Sequence, residues 1–215
     1  MNAAASPEAG NNQMTLSASE IRRYQEFVWA LQELMIDLRT PVDVYFVMTV
    51  ELPKLESEGL IEITIPQPPA ERKISLNRFI IFPIVNSLCK LLELCYAYGK
   101  EIHGLPKAVT EPLMEVIRTL ESRDVYDFRN TYTAHILCIK SGQKKRPLTL
   151  QESLDALQRV TGIEKSGELF HREGFKNYLK WIHRSDGPCV VSWIYDVILA
   201  VDRKIGGIPK RMLDD

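Results

Sequence analysis

LNRFIIFPIVNSLCKLLELCYAY, residues 76–98, is apolar on nearly every face when it is wound into a helix. A helix that is hydrophobic all round belongs in the interior of a protein. Asn77 stands near its start and Gly99 follows its end, while Pro83 is expected to be tolerated only in the first turns of the helix. The stretch therefore predicts the central helix of a helical bundle.

The sequence on both sides of this stretch repeats apolar residues at helical spacing. Ser17 or Ser19 is expected to cap the first of these helices, and Pro41 is expected to open the second. Thr110 is expected to cap the first helix after residue 98. The other ranges predicted to be helical are 15–40, 41–57, 108–124, 148–162, 168–184 and 188–205.

Strand signals are scarce, so the predicted fold is all-α, an antiparallel helical bundle with short connections. Residues 1–14 are rich in Ala, Asn, Gly and Pro and are predicted to be a disordered tail. Residues 58–75 contain a short proline-rich connector with at most one short strand. One all-α domain is expected over residues 15–210, and residues 15–75 either belong to the bundle or form a helical cap over its cleft.

The 27 basic and 28 acidic residues of this 215-residue chain nearly cancel, so contact with nucleic acid must come from a local patch. No secretory signal opens the sequence, and residues such as Lys90 and Glu93 make the apolar stretch too polar for a membrane span. Three of the four cysteines stand in apolar runs and are expected to be reduced core residues. A soluble, cytoplasmic protein without a membrane partner is predicted.

Several signatures of enzyme chemistry are missing from the sequence. It has no phosphate-binding G-x-x-x-x-G-K-[S/T] loop, no G-x-S-x-G nucleophile turn and no H-E-x-x-H zinc motif. His103, His171 and His183 each stand apart from other metal-ligand residues in sequence, so neither a metal site nor a cofactor is expected. His171 and His183 are interpreted as surface residues at helix ends, near the free carbonyl groups of a helix C-terminus or near a carboxylate.

A candidate site lies in DVYDFRNTYTAHI, residues 124–136, where Arg129 and Asn130 precede His135. Histidine has a near-neutral pKa and can move a proton, and arginine is a fixed cation with a bidentate fork, so the two residue types can form the working pair of an active site. Asn130 would orient a hydrogen bond there, or be only a polar helix residue.

The segment FRNTYTAH, residues 128–135, resembles the motif of the HEPN superfamily, in which arginine and a polar residue precede a histidine late in a helical bundle. Ala134 directly before the histidine is also common in that family, whereas Leu137 stands where some active members have tyrosine. The resemblance implies an RNA-cleaving or RNA-binding domain, often a homodimer and often part of toxin–antitoxin or phage-defence systems. It implies catalytic roles for Arg129, Asn130 and His135.

The chemistry fits these residue types. RNA can be cut without a metal, because its own 2′-hydroxyl can attack the adjacent phosphate. That reaction needs a group of near-neutral pKa to move a proton, which suits histidine, and a fixed cation to stabilise the charge on phosphorus, which suits arginine.

A continuous helix over residues 126–139 would turn about 600° between Arg129 and His135, so the two would point about 120° apart with about 9 Å of rise. Such a pair does not easily grip one phosphate from a single chain, and an active site would need two copies around a two-fold axis. The alternative needs no dimer. Arg129 would then pair with a nearby carboxylate such as Asp124 or Asp127, and His135 would be a core histidine bonded to a carbonyl.

A basic loop follows the motif and would hold an RNA backbone or be an ordinary solvated loop. Its cations are Lys140, Lys144, Lys145 and Arg146. Tyr132 would stack on a base or pack in the bundle.

The sequence thus predicts a metal-independent RNA endonuclease that acts on RNA as a homodimer, with a partner protein where it belongs to a defence system. Two other functions stay open. One is a catalytically silent module of the same fold that binds RNA or a protein. The other is an unrelated helical interaction protein whose apolar helices, 80–98 and 188–205, dimerise.

Overall fold

The protein is described by a computed structural model that covers residues 16–62, 69–130, 137–138, 146–147, 149–163 and 172–207. The predicted tail, residues 1–14, lies outside these residues, and so do residues 63–68 of the predicted connector. The elements, in chain order, are α1 Ala18–Phe46, a π-helical segment Val47–Glu51, α2 Leu52–Ser57, α3 Pro69–Ala97, α4 Gly99–His103, α5 Lys107–Ser122, α6 Val125–Phe128, β1 Leu137–Cys138, β2 Arg146–Pro147, α7 Leu150–Thr161, α8 Arg172–Ile182 and α9 Val190–Ile205.

Helix α3 is the central helix that the apolar stretch predicts, and it begins earlier than residue 76. Most of its side chains beyond Phe79 are buried, but Pro83, Asn86, Lys90 and Glu93 form an exposed stripe at helical spacing, which corrects the expectation of a helix that is apolar on nearly every face. The fully or almost fully buried ones are Ile80, Ile81, Ile84, Val85, Leu88, Cys89, Leu91, Leu92 and Cys95. The all-α bundle predicted from the sequence is therefore confirmed.

Helix α1 contributes a continuous buried face to the same core, including Phe27, Leu31 and Leu38. It packs along α3 and α9. The Phe27 ring stacks on Tyr98 at 5.0 Å between ring centroids, and Lys90 donates to Asp37 at 2.8 Å. These contacts show that α1 lies antiparallel to α3 and is part of the bundle core.

The helix boundaries predicted from two prolines are wrong. Pro41 lies inside α1, so it does not open a second helix, and Pro83 lies in the interior of α3 instead of its first turns. A proline in a helix interior removes one hydrogen bond and costs about 3 kcal/mol in isolation. Buried side chains on either side, such as Leu38 and Val42 around Pro41, offset that cost by tertiary packing.

The caps follow local chemistry. Of the two serines predicted as caps, Ser17 is the one that caps α1, because its side chain and that of Glu20 bond each other's backbone amides. Thr110 does not cap α5, which begins at Lys107 after Pro106 and includes Thr110 in its buried face. Among the described side chains, Cys89, Cys95 and Cys189 are buried free thiols, as expected for cysteines in apolar runs.

The segment Phe79–Ala97 of α3 is long and apolar enough to cross a membrane, with a mean hydropathy of 1.6. In the bundle, 56% of this segment is buried against other parts of the chain. The core helix of a soluble protein meets the same length and hydropathy criteria, and the contacts of α3 with α1 and α5 give it that position.

Candidate functional site

The candidate site begins where α5 ends. Arg123, the residue after α5, donates from Nη1 to the carbonyl oxygen of Thr161 at 3.2 Å, and its guanidinium lies 5.3 Å from the centre of the Trp181 ring. These contacts fix the end of α5 against α7 and α8. Burial lowers the pKa of Arg123, which still carries its charge at neutral pH.

Asp124 then turns the chain into α6. Its φ of 51° and ψ of 44° lie in the left-handed region, where aspartate is one of the few side chains found regularly. The short helix α6 buries Val125 and Phe128, and the Phe128 ring lies 6.3 Å from Phe82 of α3. The single turn of helix is thus held by its side chains against α3, and it presents the next residue, Arg129, at its end.

Arg129 pairs with Glu93 of α3, with 3.0 Å between Nη1 and Oε1. The guanidinium carbon also lies 4.8 Å from the centre of the Tyr126 ring, one helical turn back. The hydrogen bond to Glu93 raises the pKa of Arg129. One of the two interpretations of the sequence expected Arg129 to pair with a carboxylate. It does so, but the carboxylate belongs to another helix, α3. Of the two acids suggested there, Asp124 lies 3.8 Å from Arg159 instead.

Two neutral groups lie behind this ion pair. The Tyr126 hydroxyl donates to the Cys89 carbonyl at 3.5 Å, and the Cys89 thiol donates to the Val125 carbonyl at 3.7 Å. Burial raises the pKa of Cys89 to about 11. Burial first, and then a hydrogen bond between its hydroxyl and the Glu93 carboxylate, raises the pKa of Tyr126 to about 12. At neutral pH both stay protonated, so they position Arg129 and do not act as bases.

The expectation of one helix over residues 126–139 is wrong. The α-helical turn α6 passes after Phe128 into π-helical backbone at Arg129 and Asn130, and Leu137–Cys138 forms a strand that pairs antiparallel with Arg146–Pro147. A strand at Leu137–Cys138 excludes a helix that is continuous to residue 139. His135 lies outside the described residues, and the angle of about 120° and rise of about 9 Å between Arg129 and His135 stay predictions.

The other predicted site residues divide into described and undescribed ones. Asn130 is exposed and follows Arg129 directly. The backbone of Arg146 lies in β2, where it pairs with Cys138, so that the two strands bring the ends of the basic loop together. The remaining predicted residues, which are Tyr132, His135, Lys140, Lys144 and Lys145, lie outside the described residues.

Among the residues that the structure describes, no group of three or more His, Cys, Asp or Glu side chains is placed to hold a metal ion. His103 Nδ1 lies 2.5 Å from the carbonyl oxygen of Gly99. His183 follows the end of α8 and lies 3.7 Å from Asp43, close to the carboxylate environment expected for it. Burial lowers its pKa. His171 lies outside the described residues.

Glu93, Tyr126 and Cys89 are the site residues that sequence reasoning missed. Glu93 is 36 positions from Arg129, and nothing in local spacing links them. One signal was available, because a glutamate inside an otherwise apolar helix must either face solvent or find a cation. Comparison with models of protein families, with curated proteins and with solved structures finds no match to this chain.

Proposed function

We propose that this chain is a metal-independent RNA endonuclease of HEPN type. The observation that carries the proposal is the setting of Arg129, whose guanidinium is backed by the Tyr126 ring and whose side chain keeps 31% of its surface exposed. It stands at the end of α6, next to the exposed Asn130 and at the start of the segment that contains His135. A pre-positioned, accessible guanidinium is the group that a phosphate diester needs for binding.

In the proposed reaction the 2′-oxygen of a ribose attacks the adjacent phosphorus. The new bond joins the 2′-oxygen to phosphorus and the bond to the 5′-oxygen breaks, which leaves a 2′,3′-cyclic phosphate and a 5′-hydroxyl. His135 takes the proton from the 2′-hydroxyl or gives one to the leaving 5′-oxygen. Arg129 stabilises the negative charge on the phosphorane oxygens, and Asn130 orients a hydrogen bond.

A homodimer and an RNA-binding loop complete this proposal. Two copies around a two-fold axis would bring two sets of Arg129 and His135 to one cleft. Lys140, Lys144, Lys145 and Arg146 would bind the RNA backbone, with Tyr132 stacking on a base. The proposal includes a cytoplasmic role without metal, cofactor or membrane, in a toxin–antitoxin or phage-defence system with a partner protein.

A second candidate is supported by a specific observation. Arg129 is already paired with Glu93, so the same fold would also suit a catalytically silent module that binds RNA or a protein. In that function the pair would hold α6 on α3, and the basic loop would carry the binding.

Cleavage of total RNA in the presence of EDTA tests the first proposal. We expect wild-type protein to cut RNA and to leave 2′,3′-cyclic phosphate ends, because no step needs a metal. His135→Ala and Arg129→Gln should each lose that cleavage. Equal cleavage by all three proteins would contradict the assignment, and RNA binding without cleavage by any of them would favour the silent module.

A further inference from the structure

We infer that His183, where it lies against Asp43 of α1, forms an acid-sensitive joint between the end of α8 and α1, and that protonation drives its ring out of this joint. The inference goes beyond the proposed function, because it assigns a response to pH and no part in RNA cleavage. It predicts that the end of α8 loosens from α1 as the pH falls below neutral.

The imidazole ring of His183 is largely enclosed, and one of its nitrogens has no partner. His183 follows Ile182, the last residue of α8, and 19% of its side-chain surface is exposed. Among the described residues, nothing accepts a hydrogen bond from the buried Nδ1 or donates one to it. In a neutral ring Nδ1 can be the nitrogen without a hydrogen, but in a protonated ring both nitrogens are donors. Protonation therefore creates a buried charged donor without an acceptor, which costs free energy.

Asp43 faces the other ring nitrogen of His183 and compensates only part of a positive charge there. Its Oδ1 lies 3.7 Å from Nε2, which is too far for a good hydrogen bond. Its Oδ2 accepts from Nε of Arg39 at 2.9 Å, and 49% of the Asp43 side-chain surface is exposed. The carboxylate is thus shared with an arginine and with water, and both weaken its attraction for His183.

The charged groups around the ring favour its neutral form on balance. Burial lowers the pKa of His183 most strongly, Asp43 raises it and Arg39 lowers it, so that the pKa lies below the ordinary 6.5. Among the described residues these two, both on α1, are the charged groups that act on the ring, and α8, α9 and the turn between them contribute none. When folding lowers the pKa of a base, the open state binds the proton more tightly. The closed joint therefore loses stability as the pH falls from 6.5 towards the folded value.

The first turn of α8 is attached to α1 by a contact that does not titrate in this pH range. The Phe175 ring is buried and lies 5.1 Å from the centre of the Tyr45 ring. A phenylalanine has no titratable group, and a tyrosine loses its proton only near pH 10. His183 stands at the opposite end of the same helix. Acid therefore acts on the C-terminal end of α8 and leaves its first turn attached.

The test is an NMR titration of the full chain from about pH 8 to about pH 5, across the range in which histidine titrates. We expect the ring signals of His183 to titrate with a midpoint below 6.5. The backbone amide of His183, which donates to the Leu179 carbonyl at 2.8 Å, reports opening of the joint through hydrogen exchange. After correction for the intrinsic pH dependence of exchange, its protection should fall roughly threefold or more across the titration.

Two glutamine variants separate His183 from the other histidines. His183→Gln keeps a side-chain amide near Asp43 and removes the titration, so protection of the amide at position 183 should be constant over the pH range. His103→Gln is the matched control, because His103 also stands at a helix end but is exposed, with Nδ1 at 2.5 Å from the Gly99 carbonyl oxygen. It should lose protection in acid as the wild type does.

Arg39→Gln and Asp43→Asn test the electrostatic origin of the response. Both variants break the same surface ion pair, but they remove opposite charges beside the ring. Arg39→Gln should therefore raise the midpoint of His183, and Asp43→Asn should lower it. A wild-type midpoint at or above 6.5, shifts of the same sign in these two variants, or an equal loss of protection in His183→Gln would each overturn the joint. None of these outcomes depends on RNA cleavage, so the proposed function stands or falls separately.

Discussion

Two arginine–glutamate pairs in this molecule are built from the same parts. Arg23 of α1 pairs with Glu101 of α4 and lies 4.9 Å from the centre of the Tyr98 ring, and Arg129 pairs with Glu93 beside Tyr126. They differ in the burial of the acid, since 9% of the Glu101 side-chain surface is exposed and 53% of that of Glu93.

The buried acid also has a more extensive set of contacts. Arg23 donates to Glu101 at 2.5 Å and to the Ala97 carbonyl at 3.1 Å, while the Glu101 carbonyl accepts from Tyr24 at 3.2 Å. The contacts join α1 to the end of α3 and to α4. A carboxylate enclosed in this way cannot leave its arginine for water. Burial of the acid therefore distinguishes a pair that holds the fold from one whose acid is largely exposed to solvent.

The largest expected effect that tests this comparison is on stability. Glu101→Gln should lower the free energy of unfolding by about 2 kcal/mol, because a buried charge-assisted hydrogen bond is lost. Glu93→Gln should change it by less than about 0.5 kcal/mol, as for an exposed ion pair. Urea denaturation of the two variants and the wild type measures both. Equal losses of unfolding free energy would show that the two pairs stabilise the fold equally and that burial of the acid does not distinguish them.

The next largest expected effect is the pH dependence of the stability lost in Glu101→Gln. Chiefly through the hydrogen bond from Arg23, the pKa of Glu101 is held below its ordinary 4.5. A carboxyl whose pKa is lowered by folding stabilises the protein above its unfolded pKa, and this contribution is lost as the pH falls through the folded value. The difference between wild type and Glu101→Gln should be constant near neutral pH and shrink below about pH 4.5. A difference that grows in acid would contradict this sign.

A smaller effect is expected at Asp124, which turns the chain towards Arg129. Asp124→Ala should cost about 1 kcal/mol of stability, because alanine is disfavoured at the observed φ of 51°. Asp124→Gly is the matched control, since glycine adopts this conformation freely and should leave stability within about 0.5 kcal/mol of wild type. Thermal unfolding of both variants measures the difference. An equal loss in both would show that the Asp124 side chain, and not its backbone, matters.

Local patterns in the sequence were sufficient for most of the bundle. The apolar stretch predicts α3, and Ser17 or Ser19 predicts the start of α1, because a helix cap depends on residues within one turn of it. Pro41 and Pro83 misled the boundaries, since the cost of each proline is offset by packing between helices that are distant in sequence.

The site was less predictable for the same reason. The sequence draws attention to Arg129, and one of its two interpretations places a nearby carboxylate such as Asp124 or Asp127 beside it. The carboxylate instead comes from α3, which local spacing does not indicate. The strand at Leu137–Cys138 was also missed, because its pairing with Arg146–Pro147 joins residues that are eight to ten positions apart in sequence.

Helix α9 packs on α1 and on α5, although it is the last of the described helices to leave the ribosome. Before α9 has been synthesised, the apolar side chains of α1 that pack against it in the folded protein are exposed to solvent. During synthesis the nascent chain therefore holds an open hydrophobic groove, of the kind that chaperones bind and that favours aggregation. The last helix closes that groove, so a chain cut before residue 190 would expose it permanently and be a substrate for cellular proteolysis.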